Sequence, residues 1–260
     1  MVKVEQIMNE IEKIAPKYLK EDYDNVGLMV GNKENEVKRV LIALDCTNDV
    51  IDEAIYNKVD LIITHHPLFF RKPKRIVNEE LIGEKVIKLI KNDINLYSCH
   101  TNLDNARNGI NDKVMRLLGF NSACIIEPKD EENTGCGRIA YLDTEITIED
   151  LAKIIKERLK IKNLRIAKST MKIKKIAVIN GSGQDFFEKA REMGADCIIT
   201  GDTTYHYVSD YKEMGISIID AGHFGTEYLA FLDSLIFLKD RFSEVKFIKS
   251  KKNKDPYEFV

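Results

Sequence analysis

The sequence predicts an α/β protein made of two similar α/β units with mainly parallel sheets, related by an internal repeat. Three observations predict it. Residues 38–66 and 174–202 align without a gap. Each segment reads as an apolar strand, then a turn and an amphipathic helix, then a second apolar strand. A third apolar strand follows in both, Ile94 to Ser98 and Ile216 to Asp220. Strands alternating with helices form parallel sheets with right-handed crossovers.

Along the chain, the first element is an amphipathic helix over 4–15, with Val4, Ile7, Met8, Ile11 and Ile14 at helical spacing. The first repeat strand, Lys38-Arg39-Val40-Leu41-Ile42-Ala43-Leu44, matches Lys174-Lys175-Ile176-Ala177-Val178-Ile179-Asn180. Ala54 and Ala190 fall in register in the helices that follow. Asp60-Leu61-Ile62-Ile63-Thr64 then matches Asp196-Cys197-Ile198-Ile199-Thr200. Short runs of this kind suit strands buried on both faces. Helices are expected at 79–92 and 108–118, the latter stopped by Gly119. Between the units, Ala123-Cys124-Ile125-Ile126 and Arg138-Ile139-Ala140-Tyr141-Leu142 read as short strands. The polar loop Pro128 to Gly137 between them reads as a domain boundary. Thr147-Ile148-Glu149-Asp150 resembles a helix start, continued by Leu151, Ile154, Ile155 and Leu159. A last helix over about 226–241 is apolar along Leu229, Leu232, Leu235, Ile236 and Leu238, and the tail from Lys249 to Lys254 reads as loosely ordered. The division that follows is a first α/β domain of 1–122 plus 216–260 and a second of 123–215.

A chain of 260 residues that is 44% hydrophobic can bury a substantial core. No apolar run approaches the ~20 residues of a membrane span, and the chain opens on an amphipathic helix instead of a signal peptide. The five cysteines are scattered without CxxC spacing, which fits reduced thiols in a cytoplasm. A net charge of −2 gives no whole-chain signal for nucleic acid or an anionic membrane.

Chemistry concentrates in three short segments. The run ending Thr64-His65-His66-Pro67 delivers two imidazoles at the C-terminal end of a buried strand, where open α/β sheets place ligands. His100 and Asp104 follow in Cys99-His100-Thr101-Asn102-Leu103-Asp104, and His223 and Glu227 in Gly222-His223-Phe224-Gly225-Thr226-Glu227. Four of the five histidines of the chain lie in these segments, a concentration that points to metal. Neutral imidazole and carboxylate suit Fe, Mn, Zn, Ni or Co. Five or six such groups are too many for one tetrahedral zinc and about right for two divalent ions per chain sharing a bridging carboxylate, Asp104 or the longer Glu227. The site is expected in the crevice between the two units, with most ligands on the first domain. Each member also has an ordinary reading: a capped strand end for the His65-His66 pair, an Asx-turn for Asp104, a first-turn glutamate facing the helix dipole for Glu227. His206, after Thr200-Gly201-Asp202, is either a proton donor or a surface residue. Asp45 either contacts substrate or caps the next helix. Gly181-Ser182-Gly183 either cradles a phosphate or makes a tight turn.

With these residues laid out, the chain resembles the family of GTP cyclohydrolase type 2 homologues, also called NGG-one-interacting-factor-three-like proteins. The resemblance runs through Asp24-Asn25-Val26-Gly27-Leu28 with Gly31, Ala43-Leu44-Asp45-Cys46-Thr47, Ile63-Thr64-His65-His66-Pro67-Leu68 and His100-Thr101-Asn102-Leu103-Asp104. It continues through Gly181-Ser182-Gly183, Thr200-Gly201-Asp202 with Tyr205-His206, and Asp220-Ala221-Gly222-His223 ending in Thr226-Glu227. It implies a dinuclear metal centre on His65, His66, Asp104, His223 and Glu227, and a toroidal homohexamer. It also implies that the chain lacks the large domain some relatives carry between the halves. Two function classes stand. One is a metal-dependent hydrolase acting on a nucleotide or phosphoester, with His100 or His206 moving protons. The other is a ring-shaped metal-binding scaffold that holds nucleic acid or a protein partner without catalysis.

Overall fold

The computed structural model describes residues 1–120, 123–130, 133–169 and 172–260. It divides into two compact units, Met1–Leu103 with Leu232–Lys254, and Asp104–Phe231 with Asp255–Val260. Each combines a sheet with helices, as the repeat predicts.

In the first unit the described residues form a five-stranded sheet in the order Lys246–Lys249, Arg39–Ala43, Leu61–Thr64, Asn95–Ser98, Gly27–Val30. The first three pairings are parallel, and Gly27–Val30 closes the edge antiparallel to Asn95–Ser98. Leu61, Ile62, Ile63 and Thr64 are all buried, as befits a central strand covered on both faces. Helices Asn48–Tyr56 and Leu81–Lys91 make the crossovers and pack Val50, Ile51, Ala54, Val86 and Leu89 into the core. Thr47 caps the first of them, its hydroxyl accepting from the Val50 amide at 3.2 Å.

In the second unit the described residues form a six-stranded sheet: Cys124–Pro128, Gly135–Ile146, Ile173–Ser182, Cys197–Gly201, Ser217–Asp220, Arg165–Ala167. Only the pairings of Ile173–Ser182 with Cys197–Gly201 and of Cys197–Gly201 with Ser217–Asp220 are parallel; the other three are antiparallel. The expectation of mainly parallel sheets therefore holds for the first sheet, while the second is mixed.

The repeat extends to individual hydrogen bonds. Asp60 Oδ2 accepts from the Lys38 and Arg39 amides at 2.7 and 2.8 Å. Asp196 Oδ2 accepts from the Lys174 and Lys175 amides at 2.8 and 2.7 Å. Each aspartate thus ties the start of one strand to the start of the next.

Three features differ from the sequence reading. Residues 104–122 and 216–231 fall in the second unit. Ser217–Asp220 pairs into its sheet, and helix Ile110–Leu118 is held there by the buried Arg138. That guanidinium donates to Asp112 through Nε at 2.6 Å and Nη2 at 3.0 Å, and to the Gly135 and Gly137 carbonyls at 2.8 Å. The strands on either side of the expected boundary, Cys124–Pro128 and Gly135–Ile146, pair with each other in one sheet, so no domain boundary separates them. The lysine-rich tail is anchored: Lys246–Lys249 adds a strand beside Arg39–Ala43, the Ser250 amide donates to the Ile42 carbonyl at 2.9 Å, and Asn253 Oδ1 accepts from the Leu44 amide. No helix among the described residues is long and apolar enough to cross a membrane.

Candidate metal centre

In the first unit His65 and His66 leave the sheet directly after Leu61–Thr64, and His100 follows Asn95–Ser98 on the neighbouring strand. The parallel register of Thr64 with Ser98 sets the two strand ends side by side. The three rings lie 5.0, 5.0 and 5.5 Å apart between centroids, and each offers a ligand nitrogen within 4.8 Å of the others.

The other nitrogen of each ring is held by an oxygen. His65 Nδ1 lies 2.9 Å from the Cys99 carbonyl, His66 Nδ1 2.8 Å from Asp45 Oδ1, and His100 Nδ1 2.8 Å from Asp24 Oδ1. A carbonyl or carboxylate can only accept there, so Nδ1 carries a proton, and in the neutral ring Nε2 is the nitrogen with the lone pair. Asp24 is itself buried and also accepts from the Thr101 amide at 3.1 Å, the Thr101 hydroxyl and the Asn25 amide at 2.7 Å. Burial alone would raise its carboxyl, but the hydrogen bonds from His100, Thr101 and Asn25 outweigh it and hold the group well below the usual carboxylate range.

In the second unit His223 opens helix His223–Ser234, and Glu227 lies one turn later on the same face. His223 repeats the pattern, with Nδ1 2.7 Å from Asp202 Oδ2. Its Nε2 lies 3.1 Å from Glu227 Oε2, within ion-pair distance but without hydrogen-bond geometry. Two electron-rich atoms turned toward one place suit a shared cation. Asn180 ties the carboxylates together, its Nδ2 donating to Asp104 Oδ1 at 2.9 Å and to Glu227 Oε1 at 3.1 Å. Gly181 comes next with φ +60°, and a Cβ there would fall on the Glu227 carboxylate. The donor set fits divalent ions: neutral imidazoles with their far nitrogens anchored, beside buried or hydrogen-bonded carboxylates.

A family model described as Duf34/NIF3 (NGG1p interacting factor 3) matches residues 2–256. The chain belongs to the Duf34/NIF3 family. It is 52% identical over 263 residues to a GTP cyclohydrolase 1 type 2 homolog of Clostridium perfringens, covering 100% of both chains. A homolog of the same name from Clostridium acetobutylicum is 49% identical, covering 99% of both. Among solved structures it is similar to a hypothetical protein of Staphylococcus aureus, with TM-score 0.91, 31% identity and 99% of each chain covered. It is also similar to reduced HcgD from Methanocaldococcus jannaschii, with TM-score 0.82, 33% identity, and 96% and 98% of the two chains covered.

Within this family member the sequence-chosen residues divide between the units. His65, His66 and His100 gather in the first, and Asp104, His223 and Glu227 in the second, so the first unit does not carry most of the proposed ligands. His206 is exposed on helix Tyr205–Glu213, its ring beside Tyr205, and joins no metal-competent group among the described residues. Asp45 holds His66, and the cap of the next helix is Thr47. The Gly181 and Gly183 amides donate to the Thr226 and Thr200 hydroxyls at 2.9 and 3.1 Å, so they are taken up within the fold instead of cradling a phosphate, and Gly181 and Ser182 end the strand Ile173–Ser182 instead of making a tight turn. Sequence reasoning missed Asp24, Asp202 and Asn180 as partners of the site. Asp24 and Asp202 stood in the motifs that carry the resemblance but without a role, and Asn180 showed as an amide where the equivalent strand of the first unit has Leu44.

Proposed function

We propose that the protein is a metal-dependent hydrolase acting on a nucleotide or phosphoester, with two divalent ions per chain held by His65, His66, Asp104, His223 and Glu227. One observation carries this reading: the three proposed imidazole ligands, His65, His66 and His223, each have Nδ1 held by an oxygen acceptor, which makes Nε2 the ligand atom. Histidines that serve as metal ligands are anchored in this way, whereas surface histidines need no such partner. The names of the homologous proteins support nucleotide chemistry.

When bound, divalent ions supply Lewis acidity, which polarises a substrate oxygen and makes water acidic near neutral pH. The chain's own residues do the rest. Asp45, Asp202 and the Cys99 carbonyl fix the orientation of His66, His223 and His65. Asn180 holds Asp104 and Glu227 at one donor, which orients the two carboxylates. In this reading His100 is the proton carrier, with Asp24 holding its Nδ1 proton and Nε2 free to accept and return another. No role falls to His206.

The test compares Glu227→Gln and His100→Ala with wild type for nucleotide and phosphoester hydrolysis and for metal content. Glu227→Gln should abolish turnover. His100→Ala should lower the rate by roughly 10²–10⁴ with metal retained, as expected for a lost acid or base. Wild type that is inactive with every divalent metal but binds nucleic acid in a salt-dependent way would replace this reading with the scaffold.

A further inference from the structure

A cavity of about 830 Å³ opens in the first unit, with Met29, Phe69, Phe70, Ile76, Val86 and Ile90 in its wall. Phe70, Ile76 and Ile90 are 60%, 42% and 63% exposed, so the apolar lining continues onto the surface. Such a continuous patch marks an interaction site more often than scattered single residues do. Lys72 and Pro73 also belong to the wall, and Arg71, Lys74 and Arg75 flank them in the chain. All four cations are exposed, and Arg75 is paired with Glu80. Of the wall carboxylates, Asp24 is committed to His100 and Thr101, and Asp22 can accept from a hydroxyl.

A second stretch of the chain carries the complementary chemistry. Beyond the buried Asn253 runs Asp255-Pro256-Tyr257-Glu258-Phe259-Val260, two acids interleaved with two rings, in neither helix nor strand. Tyr257 and Phe259 are 73% and 65% exposed, so neither ring fills the cavity of its own chain. Alternate side chains of an extended segment point to the same side, which groups the two rings on one face. Pockets that take alternate side chains of an extended segment are a recurring mode of peptide recognition. We infer that the cavity receives the Asp255–Val260 segment of a second copy of this chain. Tyr257 and Phe259 lie against the apolar wall, and Asp255 and Glu258 face Arg71, Lys72 and Lys74. An apolar centre with a charged rim is the ordinary anatomy of a specific interface. Each copy offers both a tail and a cavity, so the contact runs head to tail and closes into a ring where the rotation allows. The inference does not depend on the hydrolase reading.

Two measurements on the full-length protein test it. In sedimentation velocity across a dilution series, the double variant Tyr257→Ala with Phe259→Ala should dissociate at a concentration at least about tenfold higher than wild type, the scale expected for losing buried aromatic anchors. Both side chains are exposed in the single chain, so their removal leaves its fold intact. In fluorescence anisotropy, a labelled peptide of residues 255–260 should bind the double variant at least about tenfold more tightly than assembled wild type, whose cavities hold their neighbours' tails. Adding Lys72→Glu should weaken the peptide, and Glu258→Lys in the peptide should recover the loss. Unchanged dissociation of the double variant, a peptide that does not bind, or binding indifferent to Lys72→Glu would each overturn the inference. A monomeric wild type that gains peptide binding only in the double variant would overturn it in favour of a tail seated on its own chain. An apolar dye that enters both proteins equally would overturn it in favour of a small-molecule pocket.

Discussion

An imidazole has one nitrogen to give once the other is anchored, and the anchors decide which. Asp202 does this for His223 at 2.7 Å. Replacing it by Asn keeps the volume but removes the charge and lets the amide present either end to the ring. Loss of such an outer partner typically costs 10–100-fold in metal affinity, and Asp202→Asn should show that loss in a competition titration against a chromogenic chelator. Unchanged affinity would mean that Asp202 does not set the ring. Asp220 offers a second test at this scale. Burial opposes its charge, but the Thr203 hydroxyl and amide, the Gly222 amide and Arg165 hold its carboxyl below the ordinary value. A depressed folded-state pKa contributes stability that is present above the unfolded value of about 3.9 and lost as pH falls through the lower folded value. Acid unfolding of Asp220→Asn should therefore be less steep below about pH 4 than that of wild type, as measured by circular dichroism across a pH series. Residues like Asp24, Asp202 and Asp220 were not legible as partners in the sequence, because only the folded chain brings a carboxylate to a ring or hydroxyl 17 to 76 positions away.

At the scale of elements, the repeat makes its own prediction. Asp60 and Asp196 each accept two amides at equivalent places. Removing either takes the acceptor from two N–H groups, part-buried except for that of Lys38, at a cost of about 1–2 kcal/mol. Asp60→Ala and Asp196→Ala should lower stability by similar amounts in urea titrations, and a large inequality would show that the two turns are alike in sequence only. The elements most easily read from the sequence were those whose runs are apolar throughout, such as Leu61–Thr64 and Cys197–Gly201, because burial on both faces leaves no alternation to misread. Gly135–Ile146 was harder: it is twelve residues long, and its exposed end, Asp143-Thr144-Glu145, looks like loop. Lys246–Lys249 escaped because Phe247 and Ile248 sit between lysines, too short a run to stand out from the tail. The helix over 226–241 is also broken in the structure, as His223–Ser234 followed by Leu238–Arg241.

At the scale of the whole molecule, charge and surface bear on assembly. The net charge of −2 on 260 residues leaves little long-range repulsion between copies. Large apolar side chains stand exposed in both units, among them Tyr56, Leu81 and Ile90 in the first and Tyr141, Tyr205 and Met214 in the second. Scattered singly, such residues are ordinary on a monomer, so they permit association without specifying its order; the six-fold order comes from the family resemblance. The expected outcome is a homohexamer in solution. Sedimentation velocity at micromolar concentration should show a dominant species of six chains, and a monomer would refute it. The same experiment at 1 M salt separates the forces involved, because the Debye length there is about 3 Å. Contacts built on the exposed apolar groups should survive it, whereas an assembly held by surface ion pairs should dissociate.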